Sequence, residues 1–370
     1  MTGTFVEKIL DVVDAHYDIG RVVAARHLTS GTVNANFLVA TDSEDGREEY
    51  VVRCYRWGRS EARLHYEHHL LQYLEQNGFP CIAVPIRCLD GATFVRGLVA
   101  NGSDAERYVA VFPRLAGEDC YSWDRPGCGT AELTSAAAVL AEYHAVVSGL
   151  RGGSAPSSQT VAEEVERTLL HEHLPVRGRS FDSSYAGSQD RVRRQTRDVL
   201  DRTVTGACAT LPRLVIHRDF HPGNCLWSNG RVVGLLDFDW SDLDVRALDI
   251  ALAAVYFCAV WSDQPRVADW PKAPIDTLCP ERLATFASAY QQTASAARPG
   301  PLEVRERDCM PALIALANLF VLAWVVGDEA LAERSEQHSL RYLEHHLRLM
   351  DWIAANQPLL RDIFGDGRPV

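Results

Sequence analysis

Lysine is almost absent from this chain: of its 37 basic residues only Lys8 and Lys272 are lysines, and the rest are arginines. Any site elsewhere that needs a basic side chain must therefore use arginine. Basic charge as a whole is in deficit, since 49 acidic residues leave a net charge of −12. That balance argues against nucleic acid as the main partner, because phosphate backbones select basic surfaces. Most of the acidic excess reads as a solubilising surface. CxxC pairs are missing, and the opening MTGTFVEKIL has no basic stretch followed by an apolar run. Ten scattered cysteines without a secretion signal imply free thiols in a reducing cytoplasm.

Apolar runs of bilayer length are also lacking. The most apolar segments, Ala247–Trp261 and Ala312–Val326, are short, and each carries a polar residue, Asp249 or Asn318. Both are expected to be buried helices of a soluble protein, with no membrane partner. Internal repeats and coiled-coil heptads are missing as well. What remains is an ordinary globular composition, 47% hydrophobic and 23% charged over 370 residues, which excludes a disordered or fibrous chain. The length fits two to three domains or one two-lobed enzyme.

Up to about Leu115 the pattern is mixed α/β. An amphipathic opening helix carries Phe5, Ile9, Leu10, Val13 and Tyr17. Strand-like runs follow at Asn36–Thr41 and Tyr50–Tyr55, joined by a turn at Asp45-Gly46, and a helix from about Glu61 to Gln76 stops at Asn77-Gly78. Val84–Leu89, Thr93–Val95 and Tyr108–Phe112 read as further short strands. From about Glu118 the pattern is mainly helical, interrupted by loops at Arg151–Thr160 and Ala296–Pro301. A small sheet-rich half before a larger helical half suggests two lobes with a cleft, divided as residues 1–114 and 115–370.

The stretch that carries chemistry is Leu214–Ala251. The apolar strand Leu214–Ile216 ends in His217-Arg218-Asp219, and Asn224 lies five residues beyond Asp219. A short hairpin around Asn229-Gly230 then leads into a second apolar strand, Val232–Leu236, which ends in Asp237-Phe238-Asp239. Phosphoryl transfer from ATP needs this set. One carboxylate orients the attacking hydroxyl and accepts its proton, while an amide oxygen and a second carboxylate hold Mg²⁺ against the phosphates. Any one of these residues alone could simply shape a turn or cap a strand. Their order, each following an apolar strand, favours chemistry.

With HRDFHPGN at 217–224, LLDFDW at 235–240 and ALDIA at 247–251, the sequence resembles the broad aminoglycoside phosphotransferase family, which includes choline kinases and homoserine kinases of the protein-kinase-like type. LTSGTVNANFLV, YVVRCYR, a helix ending in NGFP, and VFPRLAGE extend the likeness through the N-terminal half. The resemblance implies an α+β, protein-kinase-like two-lobed fold: a small N-terminal antiparallel sheet lobe that binds nucleotide and a larger, mainly helical lobe with the catalytic loop and acceptor site. It implies ATP and Mg²⁺ as cofactors. By position, Asp219 looks like the catalytic base, and Asn224 and Asp237 look like the metal ligands. Asp239, Trp240 and His221 are placed to face the substrate, and His217 and Asp249 to support the catalytic loop. Asp249, a lone charge in an apolar run, must find hydrogen bonds.

Protein-kinase-like enzymes hold the ATP phosphates with a strand lysine paired to a helix glutamate. Here Val51, Arg53 and Tyr55 share one strand face, so Arg53 takes the lysine's place. The partner can be argued separately: Leu64, Glu67, Leu71 and Leu74 form one stripe, and a carboxylate on a buried stripe wants a cation. Ser30 and Gly31, at the tip of the turn Leu28–Asn36, look like the phosphate-covering loop. Phe112, Pro113 and Leu115 look like the hinge that meets adenine. His65, His68 and His69 have metal-compatible i, i+3, i+4 spacing but are expected to be mostly solvated, and His171, His173, His345 and His346 point to a metal even less. Trp261 is expected in the core.

The function implied is transfer of the γ-phosphate of ATP to the hydroxyl of a small molecule: an amino acid, amino alcohol, aminoglycoside or other metabolite. YVVRCYR and the DFDWSDLDVRALDIA tail lean towards the homoserine-kinase-like branch. Asp239, Asp242 and Asp244 suit an amine-bearing acceptor. Two rivals remain. One is a protein Ser/Thr kinase of the same fold, disfavoured because no activation-loop segment is evident between Asp237 and Asp249. The other is a non-catalytic nucleotide-binding protein, suggested only by arginine in lysine's place.

Overall fold

A computed structural model describes residues 3–28, 34–43, 46–56, 58–99, 106–151, 159–171, 179–262, 269–327 and 336–365. The chain divides into two compact units, Met1–Gly117 and Glu118–Val370.

The N-terminal unit is built on a five-stranded antiparallel sheet. Its strands are β1 (Arg21–Leu28), β2 (Ala35–Ser43), β3 (Gly46–Cys54), β4 (Val95–Val99) and β5 (Glu106–Pro113), in spatial order β1-β2-β3-β5-β4. Alternation gives each strand two faces. One face places Phe37, Val39, Val52, Val109 and Val111 in a core with Ile9 and Val13 of α1 (Gly3–His16) and with Tyr17, which follows it. Arg53 and Tyr55 belong to the other face and meet α2 (Glu61–Gln76), whose buried residues include Leu64, Glu67, His68 and Leu71. Ser60 caps α2 by accepting a hydrogen bond from the Arg63 N–H.

The strands of this unit depart from expectation, and that expected at Thr93–Val95 instead begins at Val95 and runs to Val99. Val84–Leu89 forms no strand: Pro85 removes a ladder donor, and the segment is tied down singly, Ile86 N–H donating to Val111 O at 2.8 Å and Leu89 N–H to His16 O at 2.9 Å. Conversely, β1 is a strand that the sequence did not announce. It lies at the sheet edge with no fully buried side chain, so it lacks the alternation that reveals a strand.

The C-terminal unit is mainly helical. Its principal helices are α3 (Thr130–Val147), α4 (Val161–Glu166), α5 (Arg179–Leu200), α6 (Arg246–Cys258), α7 (Pro280–Ala294), α8 (Val304–Gly327), α9 (Glu336–Ala355) and α10 (Gln357–Phe364). Every residue of α6 is buried. Arg246 opens that helix in a buried ion pair with Glu306 of α8.

Ala312–Val326 proves to be part of a longer helix than its sequence suggested. Among the described residues α8, with 24 residues, is the one helix long and apolar enough to cross a membrane. In this unit 89% of its most apolar stretch is buried against protein.

Two short ribbons complete the unit: β6 (Arg213–Ile216) with β9 (Asp242–Val245), and β7 (Cys225–Ser228) with β8 (Arg231–Leu235). β6 and β8 therefore belong to different ribbons and do not pair. Asn229 and Gly230 adopt φ of 51° and 73° at the β7–β8 turn, the left-handed pair that a two-residue hairpin requires.

Candidate active site

The catalytic-loop candidates converge on Asp249. This aspartate is fully buried in the first turn of α6, and each of its oxygens is taken by backbone: His217 N–H donates to Oδ2 and Arg218 N–H to Oδ1, both at 2.8 Å. His144 of α3 also meets Oδ2, at 3.1 Å, and its other ring nitrogen meets the Tyr290 hydroxyl at 2.8 Å. One side chain thus fixes the chain where it leaves β6, with Arg218 turned into the left-handed region at φ 70°.

His217 ties this turn to β8. Its Nε2 lies 3.0 Å from Leu236 O, and its Nδ1 accepts from Asp219 N–H at 3.3 Å. Burial depresses the His217 pKa, which keeps the ring neutral.

Asp219 follows. Burial alone would raise its carboxyl, but the charge and hydrogen bond of His221, together with His217 and Asn224, outweigh it and hold the carboxyl below the ordinary range. Asn224 donates through Nδ2 to Asp219 O at 2.9 Å and to Asp219 Oδ2 at 2.8 Å. With its nitrogen committed there, the amide offers a cation only its oxygen. His221 Nε2 stands 3.6 Å from Asp219 Oδ2, its Nδ1 accepts from Gly223 N–H at 3.0 Å, and its ring packs edge-on to Tyr256.

Asp237 comes next to Asn224 through the ribbon. Leu236 N–H donates to Asn224 O at 2.8 Å, and the following residue, Asp237, turns left-handed at φ 62°, a conformation that aspartate tolerates. Asp239 is buried and Trp240 half-buried in the one-turn helix Phe238–Trp240. That turn, β9 and the start of α6 take up the whole stretch from Asp237 to Asp249. Asn224 and Asp237 supply hard oxygen donors, the kind Mg²⁺ selects, and the ion commonly completes its shell with water and phosphate. Among the described residues no cluster of three His, Cys, Asp or Glu side chains forms a self-contained metal cage.

In the N-terminal unit, Arg53 Nη1 lies 3.5 Å from Glu67 Oε1, with Glu67 only 2% exposed. The Arg53 Nε–H also donates to Asn36 Oδ1 at 3.3 Å, and its guanidinium lies over the Phe112 ring at 5.6 Å. Phe112 and Pro113 end β5, and Leu115 follows half-buried. Ser30 and Gly31 lie outside the described residues. His68 corrects the expectation of a solvated histidine. It is buried, its Nε2 3.0 Å from the Tyr55 hydroxyl and its Nδ1 2.7 Å from Thr93 Oγ1, because it follows Glu67 on the inward side of α2. Its neighbours His65 and His69 are exposed.

Sequence reasoning missed Arg59, whose Nη2 donates to Glu67 Oε2 at 3.2 Å, and His144. Arg59 sits in a connector and leaves no periodic signal. His144 does: like Glu67, it is a polar residue on an apolar helix stripe, beside Leu140, Tyr143 and Val147.

The model of the phosphotransferase enzyme family matches residues 24–306. The homoserine kinase of Gluconobacter oxydans is 29% identical over 242 residues, covering 65% of this chain and 68% of that protein. The homoserine kinase of Acidiphilium cryptum is 27% identical over 246 residues, with 65% and 67% covered. Among solved structures, the microcompartment-associated aminopropanol kinase superposes with a TM-score of 0.62 at 16% identity, over 96% of this chain and 99% of its own. That likeness shows the protein-kinase-like fold.

Proposed function

Because the chain belongs to the phosphotransferase enzyme family and is a phosphotransferase acting on an alcohol group, we propose that it moves the γ-phosphate of ATP to the hydroxyl of a small amine-bearing molecule, a hydroxy amino acid or amino alcohol. The observation that carries this reading is the Asp219 carboxylate, clamped by the Asn224 amide at 2.8 Å and kept ionised. Its Oδ2 is engaged by Asn224, which leaves Oδ1 to orient the acceptor hydroxyl and take its proton. A weak base suffices, since the loose transition state asks for positioning more than for early deprotonation. Asn224 through Oδ1 and Asp237 through its carboxylate would hold Mg²⁺, which when bound neutralises charge on the phosphates. Arg53, fixed by Glu67 and Asn36, would anchor the phosphate chain, and the β5 end at Phe112–Leu115 would meet the base.

The acceptor class draws on two supports. The relatives named above act on homoserine and the structural neighbour on aminopropanol, each an alcohol bearing an amine. In the C-terminal unit, Asp119 and Arg125 line an open hollow of about 390 Å³ with Tyr121 and Ser122. A Cβ on Gly223 would stand 3.1 Å from Ser122 Cα and from Tyr121 O, so the hollow's wall lies against the catalytic loop. A carboxylate and a guanidinium together suit an amine or a zwitterion.

ADP release should be measured with Mg²⁺-ATP across hydroxy amino acids, amino alcohols, aminoglycosides, nucleosides and sugars. An amine-bearing acceptor is expected to stimulate turnover, and Asp219→Asn to lower it by more than about 10³-fold. Turnover surviving within about tenfold in that variant would sink the mechanism, and a response only to sugars or nucleosides would sink the acceptor class. Transfer of labelled phosphate to protein substrates would revive the Ser/Thr kinase reading, against which stands the filled Asp237–Asp249 stretch.

A further inference from the structure

Glu67 gives its two carboxylate oxygens to two different guanidiniums. Arg53 Nη1 stands 3.5 Å from Oε1, and Arg59 Nη2 stands 3.2 Å from Oε2, the side chains of Arg53 and Arg59 being 16% and 6% exposed. The carboxylate is pinned besides by the Tyr55 hydroxyl, which donates to Oε1 at 3.4 Å and is itself held by His68, in turn held by Thr93. Arg53 comes from β3. Arg59 comes from the connector that follows it, one residue before the Ser60 cap of α2.

One cation is enough to keep a buried carboxylate ionised. Two planar forks are drawn to opposite oxygens of the same carboxylate, which the Tyr55 hydroxyl also holds. Guanidinium forks match phosphate oxygens in geometry, and a polyphosphate presents several such oxygens in a row.

We propose that Arg59 is a second phosphate-binding residue, which with Arg53 forms a two-guanidinium clamp on the polyphosphate chain of the nucleotide, Glu67 orienting both. The inference rests on the reading that this chain binds ATP. It assigns the strength of binding to phosphate number and makes the nucleoside a minor contributor.

The test is isothermal titration of the full chain with Mg²⁺-ATP, Mg²⁺-ADP, AMP and adenosine, for wild type, Arg59→Gln and Arg59→Lys. Loss of a charge-assisted contact predicts that Arg59→Gln weakens ATP and ADP by roughly ten- to a hundredfold and adenosine by less than about threefold. KM for ATP should rise in parallel while KM for the acceptor stays level, and Arg59→Lys should fall between the two proteins. Arg59→Met keeps the aliphatic reach and reads the same loss should the glutamine variant not fold. If wild type binds ATP and Arg59→Gln binds it equally well, or loses adenosine as strongly as ATP, the clamp is wrong and the kinase reading stands. A lysine variant no better than the glutamine one also overturns the clamp. Wild type that fails to bind Mg²⁺-ATP overturns both.

Discussion

Asp249 is a carboxyl side chain with no exposed surface, and it is tolerated there because two backbone N–H groups and His144 surround it. Asp249→Asn keeps the size but can offer only one oxygen, so its NH₂ must face a backbone donor. Leaving a buried donor unsatisfied costs about 1–3 kcal/mol. We expect urea unfolding to show that loss, and kcat to fall while KM for ATP holds, because the damage is confined to the loop that carries Asp219. An asparagine variant with unchanged kcat would mean the loop is held by other contacts. At this scale the sequence was informative where Glu67 and Asp249 broke an apolar stripe, while His144 broke one and went unread. It pointed to the Arg53–Glu67 pair but not to the partner of Asp249: His144 and Asp249 are 105 residues apart, and only tertiary packing on α6 joins them.

The turn after β6 depends on an element that no local pattern connects to it. Arg218 is 4% exposed and strained at φ 70°; its guanidinium donates to Gln159 O at 2.9 Å and to Glu164 Oε2 of α4 at 2.6 Å, over the Phe320 ring of α8 at 5.3 Å. α4 thereby supplies an ion-pair partner to the arginine beside Asp219. Glu164→Ala leaves that guanidinium buried without its carboxylate, a situation that costs about 3–5 kcal/mol when a buried pair is broken, and less here because Glu164 is partly exposed. We expect a drop in kcat of roughly ten- to a hundredfold with acceptor and ATP KM values little changed, and rescue by Glu164→Asp to be partial. Kinetics indistinguishable from wild type would show that α4 merely packs. Elements with strong local codes, such as the Asn229-Gly230 hairpin and the capped helix α2, are legible in the sequence. The edge strand β1 and the β6–β9 pairing are not, since the first buries no regular face and the second joins residues far apart in the chain, from Ile216 with Asp242 to Arg213 with Val245.

Across the whole molecule, stability should depend on pH in two windows. Burial depresses the pKa of His144, His217 and His345, the carboxylates of Asp249, Asp219 and Asp276 opposing it only in part, and that of His346, which neighbouring His345 lowers further. A histidine whose folded pKa lies below its unfolded value of about 6.5 binds its proton more readily when unfolded. Its neutral form is fully accommodated above pH 6.5, and stability is lost as pH falls below it, by up to about 1.4 kcal/mol per pH unit for each proton taken up. Asp124, Asp219 and Asp276 have depressed carboxyls, pushed up by burial but pulled lower still by Tyr342, His221 and His345 respectively. Their contribution is present above the unfolded carboxylate pKa of about 3.9 and disappears as pH drops through the folded values. Both groups act in the same direction, so melting temperature should hold near pH 8, decline between about pH 6.5 and 5, and decline again below about pH 4. His346 offers the sharpest control. Its Nδ1 meets Asn318 Oδ1 at 2.7 Å, while its Nε2 has no hydrogen-bond partner among the described residues, so a proton there would be stranded in the core. His346→Gln should melt lower at pH 8 yet lose less on acidification to pH 5.5; a slope equal to that of wild type would remove His346 from the set that titrates on unfolding.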